Sequence, residues 1–138
     1  MKKWLFLLGA VLALVACSAS TPHELAGRWN VQQIAGASLG EDVDIWIEFD
    51  GTGEAVHGFT GCNDFTTSAS VFGTNVAFGE LEEAAGACAT PAAEVDEARF
   101  LHVLPAVQRY VRHGHSLELL QAAQGSEALI RLRRDEPN

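Results

Sequence analysis

Between Val43 and Phe49 the side chains alternate without a break. Val43, Ile45, Ile47 and Phe49 point one way, and Asp44, Trp46 and Glu48 the other. That period of two marks a strand with one buried face. Asp50-Gly51-Thr52-Gly53 follows as a hairpin signal, and residues 54–60 return as the partner strand. A clean hairpin at this point commits the chain to antiparallel pairing, and the other segments must be read as extensions of it.

Residues 25–34 read as an earlier strand, alternating at Trp29 and Val31 and stopping at Ala35-Gly36. Residues 37–42 form a Gly/Ser/acidic loop. Residues 65–70, 74–78 and 81–87 supply further extended segments. Thr90-Pro91 is an N-cap followed by a first helical residue, and Glu94, Asp96 and Glu97 fall where the helix dipole favours acids. Val95, Ala98, Leu101 and Leu104 recur at helical spacing, Phe100 widens that apolar face, and Pro105 ends the helix near Leu104. Residues 107–113, 116–121 and 128–133 read as closing strands turned at Gly114 and at Gln124-Gly125. The predicted class is α+β: an antiparallel β-sheet of about six to eight strands packed with one main helix.

The first residues do not belong to that unit. Lys2 and Lys3 precede an apolar run over residues 4–15, which is too short to span a bilayer. It ends in Leu14-Val15-Ala16-Cys17, which resembles a bacterial lipobox, with cleavage before Cys17 and acylation of that cysteine. Several acyl chains, at about 0.8 kcal/mol per buried CH₂, make a stable anchor where one would be marginal. Ser18, which is not Asp, favours the outer membrane facing the periplasm, by similarity to Gram-negative lipoproteins. The chain of 138 residues then divides into a signal peptide over 1–16, a lipidated tether over 17–26, one domain over 27–133 and a polar tail over 134–138. Loss of both lysines leaves seven arginines against 18 acids, a formal −11. Such a surface repels nucleic acid and anionic lipid, so the expected partners are the membrane through the lipid and a cationic or neutral envelope component.

With Cys17 lipidated, Cys62 and Cys88 remain, in an oxidising compartment. Cys62 lies in Gly61-Cys62-Asn63, and Gly61 and Asn63 are residue types that tolerate φ > 0, so a sharp turn is expected. There is no Cys-x-x-Cys, and neither cysteine has a lysine, arginine or histidine within three residues to hold a thiolate. A structural disulfide is the leading assignment. Free buried thiols and a redox or metal pair stay open. A bridge would close a loop of about 26 residues, worth roughly 3.5 kcal/mol.

Other candidate chemistry is thinner. His113-Gly114-His115 reads as a solvated hairpin tip, and no Cys/His cluster has zinc spacing. Asp42, Asp44, Glu48 and Asp50 are rich in oxygen but do not fit a calcium loop. No nucleophile elbow, phosphate loop or dinucleotide fingerprint occurs. No catalytic residue, metal or cofactor is expected. Trp46, on the polar side of its strand beside Asp44 and Glu48, is the candidate binding residue, able to stack with a cationic or apolar partner unless a second small core or the helix covers it.

Gly61-Cys62-Asn63-Asp64-Phe65 resembles the Gly-Cys-Asn-x-Phe signature of the META domain family, which includes HslJ-like heat-shock lipoproteins. The resemblance continues in the Trp29 strand, in Phe78-Gly79-Glu80-Leu81, in Cys88 at the family's second cysteine, and through Phe100, Leu101, Leu104, Val107, Tyr110, Gly114, Leu117 and Leu119. Where the family commonly has Thr-Arg-Met-Ala-Cys, this chain has Ala84-Ala85-Gly86-Ala87-Cys88, so no role of the missing side chains carries over. The resemblance implies a small envelope domain linked to stress response and antibiotic resistance, with no established enzymatic activity. The expected function is a non-enzymatic, lipid-anchored envelope protein. The alternative is an inhibitor of lysozyme-type enzymes or a small-ligand-binding lipoprotein.

Overall fold

The computed structural model describes Thr21, residues 23–122 and residues 127–135. The expected signal segment over 1–16, Cys17 and the expected Gln124-Gly125 turn lie outside the described residues. Among the described residues there are ten strands: β1 (Gly27–Ile34), β2 (Ala37–Ser38), β3 (Trp46–Phe49), β4 (Ala55–Phe59), β5 (Asp64–Phe72), β6 (Asn75–Phe78), β7 (Glu82–Glu83), β8 (Arg109–His113), β9 (Ser116–Leu120) and β10 (Ala128–Arg133). One helix, α1 (Pro91–Val103), runs into a 3-10 turn over Leu104–Ala106.

The hairpin predicted around Asp50 forms, with Phe49 opposite Val56 and Trp46 opposite Phe59. Asp50 Oδ1 accepts from the Thr52 N–H and hydroxyl and from the Glu54 and Ala55 N–H groups, which fixes the turn. All pairings are antiparallel, but the sheet is not open. β1 pairs with β3 on one side and with β10 on the other, Ile34 lying opposite Ile130. The order β1-β3-β4-β5-β6-β8-β9-β10 therefore returns to β1 as an eight-stranded barrel, with β2 and β7 as short additions. The expected sheet packed against a helix is corrected to a barrel closed at one end by the helix. Closure removes exposed sheet edges, which an open sheet of this length would have to shield.

An eight-stranded barrel is just wide enough for side chains to fill it. Trp29, Ile47, Phe49, Phe65, Leu117, Leu119 and Ile130 do so. Residues from the far end of β1, the β4–β5 turn and the loop before β3 meet α1. Phe100 enters this core with its ring 5.8 Å from that of Phe65. The Thr90 hydroxyl caps the helix by accepting from Ala93 N–H at 3.1 Å, as the sequence predicts.

The buried face of α1 differs from the expected one. Ala93, Asp96, Phe100 and Val103 face inward, whereas Val95 is 58% exposed. The reason is polar. Asp96 accepts from Gly40 N–H at 2.7 Å and from Arg99 Nη1 at 3.0 Å, and Arg99 Nη2 donates to the Ile34 carbonyl. These bonds rotate a charged pair toward the barrel rim and turn Val95 outward.

The folded unit is also wider than residues 27–133. Leu25, placed in the tether by its sequence, is fully buried, and its carbonyl accepts from Trp29 Nε1 at 2.8 Å. Arg134, placed in the tail, stacks on the Trp29 ring 4.1 Å from its centroid. Of the extended segment expected over 81–87, only β7 pairs, against Phe65 and Thr66.

Phe100→Ala is expected to lower the unfolding free energy by about 3–5 kcal/mol, the usual loss for a buried phenylalanine. Val95→Ala is expected to stay within about 0.5 kcal/mol, as for an exposed site. Urea denaturation checks both, and equal losses would refute the assigned helix face.

Candidate functional site

The turn between β4 and β5 gathers the most polar contacts to the fewest residues. Gly61 sits at φ +99°, a conformation that favours glycine. Asn63 does not have positive φ, so its expected backbone role is replaced by a side-chain one. Its Nδ2 donates to the Gly86 carbonyl and to Glu97 Oε2, both at 3.3 Å. Thr60 Oγ1 accepts from the N–H groups of Cys62 and Asn63, and the hydroxyl donates to the same Glu97 oxygen. Cys62 and Cys88 are bridged, with Cα atoms 4.6 Å apart. The turn, the segment before the helix and α1 thus meet at one carboxylate.

Glu97 Oε1 lies 3.9 Å from Cys88 Sγ, and Cys62, Cys88 and Glu97 are close enough to resemble a ligand set. The thiolate is the metal-binding form of cysteine, and in the bridge neither sulfur is one. Glu83 approaches Glu97 from β7. Burial and then the like charge of Glu97 push the Glu83 carboxyl above its ordinary range. The sequence marks Glu97 only as an acid near the start of the helix, and neither it nor Thr60 as part of a site. Glu97 is 37 residues from Thr60 and 34 from Asn63, and no local pattern announces such a contact.

Trp46 lies elsewhere, on the outer face of β3. It is partly buried, and neither α1 nor a second core covers it. The Arg28 guanidinium stacks 3.7 Å from its ring centroid, and His57 meets it edge-on at 5.6 Å. Glu48 stands between them, 3.1 Å from Arg28 Nε and 3.8 Å from His57 Nε2. Trp46 and His57 line a groove of about 240 Å³ with Asp64, Thr66 and Glu82. It adjoins a second groove of about 480 Å³, lined by Asp50, Glu54, Thr66, Glu80 and Glu82 among others. A cation already occupies the face of Trp46, so a further ligand would meet the groove and its acids.

The remaining sequence candidates stay apart. His113 and His115 are exposed on either side of Gly114, whose φ is +57°. The carboxylates of Asp42, Asp44, Glu48 and Asp50 do not converge: Glu48 is paired with Arg28 and Asp50 is engaged by its own turn. Among the described residues, the only group of three His, Cys, Asp or Glu close enough to share an ion is the bridged pair with Glu97.

A sequence profile of the META domain matches residues 23–136. The chain belongs to the META domain family. Two solved structures share its fold. One NMR structure is 14% identical, covering 79% of this chain and 89% of its own, with a TM-score of 0.60. Another, from Burkholderia xenovorans, is 20% identical over 82% and 85%, with a TM-score of 0.62. No curated protein matches.

Each residue of the META signature has a physical task here. Gly61 supplies the bend and Cys62 the covalent tie. Asn63 supplies the bonds to Gly86 and Glu97, and Phe65 the core ring that meets Phe100. The unusual stretch before Cys88 also fits, because a Cβ at Gly86 would fall 2.6 Å from Asn63 Oδ1.

Cys62→Ala is expected to cost roughly 3.5 kcal/mol, and reduction of the wild type about as much, from loop entropy. Unchanged urea midpoints would overturn the structural role of the bridge. Glu83→Gln tests the carboxylate pair. Because the folded state raises the Glu83 pKa, its favourable contribution is present below the ordinary carboxylate range and is lost as pH rises through the folded value. The variant should therefore be more stable than wild type near neutral pH and lose that advantage in acid, as thermal melts across pH would record.

Proposed function

We propose that this chain is a lipid-anchored protein of the bacterial envelope, held through acylated Cys17 at the outer membrane on its periplasmic side. Its META domain acts by binding and not by catalysis, in envelope maintenance or tolerance of stress and antibiotics. The observation that carries the reading is the Cys62–Cys88 bridge. Disulfides persist in oxidising compartments, and this one occurs in a chain with a basic start, an apolar run and Leu14-Val15-Ala16-Cys17. A second support is the filled barrel. Trp29, Phe49, Phe65 and Phe100 occupy its interior, which leaves the outer face for recognition.

Inhibition of a cationic lysozyme-type enzyme is a second reading, and one feature favours it. The two adjoining grooves share Thr66 and Glu82 and bring Asp50, Glu54, Asp64 and Glu80 onto one side of the barrel. Basic side chains would find complementary charge there.

The expected result for the first reading is an acylated Cys17 peptide from the outer-membrane fraction, fully bridged Cys62 and Cys88, and greater stress sensitivity on deletion. An unacylated chain in the cytoplasm whose Cys62 and Cys88 react as free thiols would refute it. A stoichiometric lysozyme assay decides the second reading, and an unchanged lytic rate removes it.

A further inference from the structure

Strand direction sorts the barrel into two ends. The helix, the disulfide turn and β7 occupy one. The start of β1 and the β3–β4, β5–β6 and β8–β9 turns occupy the other. That second end is laced to the N-terminal segment. His23 N–H donates to the Gly51 carbonyl at 2.9 Å, and Arg112 Nη1 to the Glu24 carbonyl at 2.7 Å. The Tyr110 hydroxyl lies between the Glu24 carboxylate and the Gly73 carbonyl, the latter at 3.0 Å. Burial and Glu24 push that hydroxyl's pKa up to about 12, so it stays a donor at any physiological pH.

Phe72 stands at the tip of the β5–β6 turn, next to Gly73, and is 84% exposed. It lines a groove of about 410 Å³ with Asn75, Val76, Ala77 and Arg109. A phenylalanine this exposed is costly in water and at home at a headgroup–acyl boundary. Cys17 precedes His23 by six residues, so the tether reaches at most roughly 20 Å even when fully extended. An acyl anchor at Cys17 therefore keeps this end close to the bilayer.

Charge sorts the same way. Arg109, Arg112 and Arg133 lie on strands where they reach this end, and Arg134 follows β10 there, four of the seven arginines left after processing. Glu24, Asp50, Glu54 and Asp135 are also there, but Glu24 is engaged by Tyr110 and Asp50 by its turn. The helix end holds Asp64, Glu82, Glu83, Glu94 and Glu97 with few cations. A chain of net −11 is repelled by an anionic surface, so the arginine-bearing end is the one that can approach it.

We infer that the β5–β6 tip, Phe72 backed by Arg109, is a second membrane contact that seats in the headgroup–acyl boundary of the bilayer holding Cys17. It fixes the barrel upright, with the helix and the disulfide turned away from the lipid. This rests on the lipid-anchor reading above, and the test separates the two.

The test uses the full chain, processed in cells and reconstituted into phosphatidylethanolamine–phosphatidylglycerol vesicles with brominated acyl chains. Phe72→Trp adds an emitter at the tip, Val95→Trp adds one on the exposed face of α1, and wild type gives the background from Trp29 and Trp46. The Cys17 peptide mass reports acylation independently. Expected are an acylated peptide, roughly half of the Phe72→Trp emission quenched, and on the order of a tenth for Val95→Trp, since an interfacial indole lies within reach of the acyl bromines. Equal quenching of the two variants on an acylated chain overturns the membrane contact and leaves the anchor standing. Tip-selective quenching on an unacylated chain supports the contact and overturns the anchor. Neither signal overturns both.

Discussion

The pairing of β1 with β10 is the constraint on which the molecule turns. It joins the first long strand to the last, across almost the whole domain, with Asn30 opposite Arg133 at one end and Ile34 opposite Ile130 at the other. Once that ladder forms, every strand of the ring has two neighbours and the interior has a set size. That size explains why the core needs large side chains from nearly all strands and one more, Phe100, from the helix that closes the end. Trp29 shows how tightly the ends are tied to it. Its indole N–H reaches back to Leu25, and the Arg134 side chain stacks on its ring, so segments flanking the strands become part of the domain.

Much of this was legible in the residues. The alternation over Val43–Phe49, the Asp50 hairpin and the Thr90 cap are local signals, and they appear where the pattern places them. Val95 was misread for a local reason too: hydrophobic spacing ranks valine above aspartate, but Asp96 satisfies its charge with Arg99 and Gly40 and so takes the inward position. Closure was not legible, because nothing in the sequence of β10 names β1 as its partner. The disulfide was the leading choice among open alternatives, whereas the carboxylate that organises its surroundings was invisible. Glu97 sits on a helix turn that could as well have faced water. Trp46 stands out on the polar face of its strand, and its stacking partner, Arg28, comes from the neighbouring strand, which the sequence does not name.

The signature of the META domain is therefore a structural junction with a polar lining. Covalent, hydrogen-bonded and apolar ties all converge within four residues of Cys62, and together they set the angle at which the helix meets the barrel. Away from this junction, the outer strands carry a set of acids and one cation-capped tryptophan.

The wall is not uniform. β6 and β8 meet through a single residue pair, Asn75 with Arg109, flanked by the bonds from Val76 to Gln108 and from Tyr110 to Thr74. Every other contact in the ring is a ladder of at least four pairs. Local opening follows the weakest cooperative unit, so the barrel has a clasp. Breathing at this place would part the N-terminal strands from the C-terminal hairpin without breaking β1 from β10, and amide exchange would run ahead in Val76 and Tyr110. The ring is a closed shape whose point of first opening is written into its register.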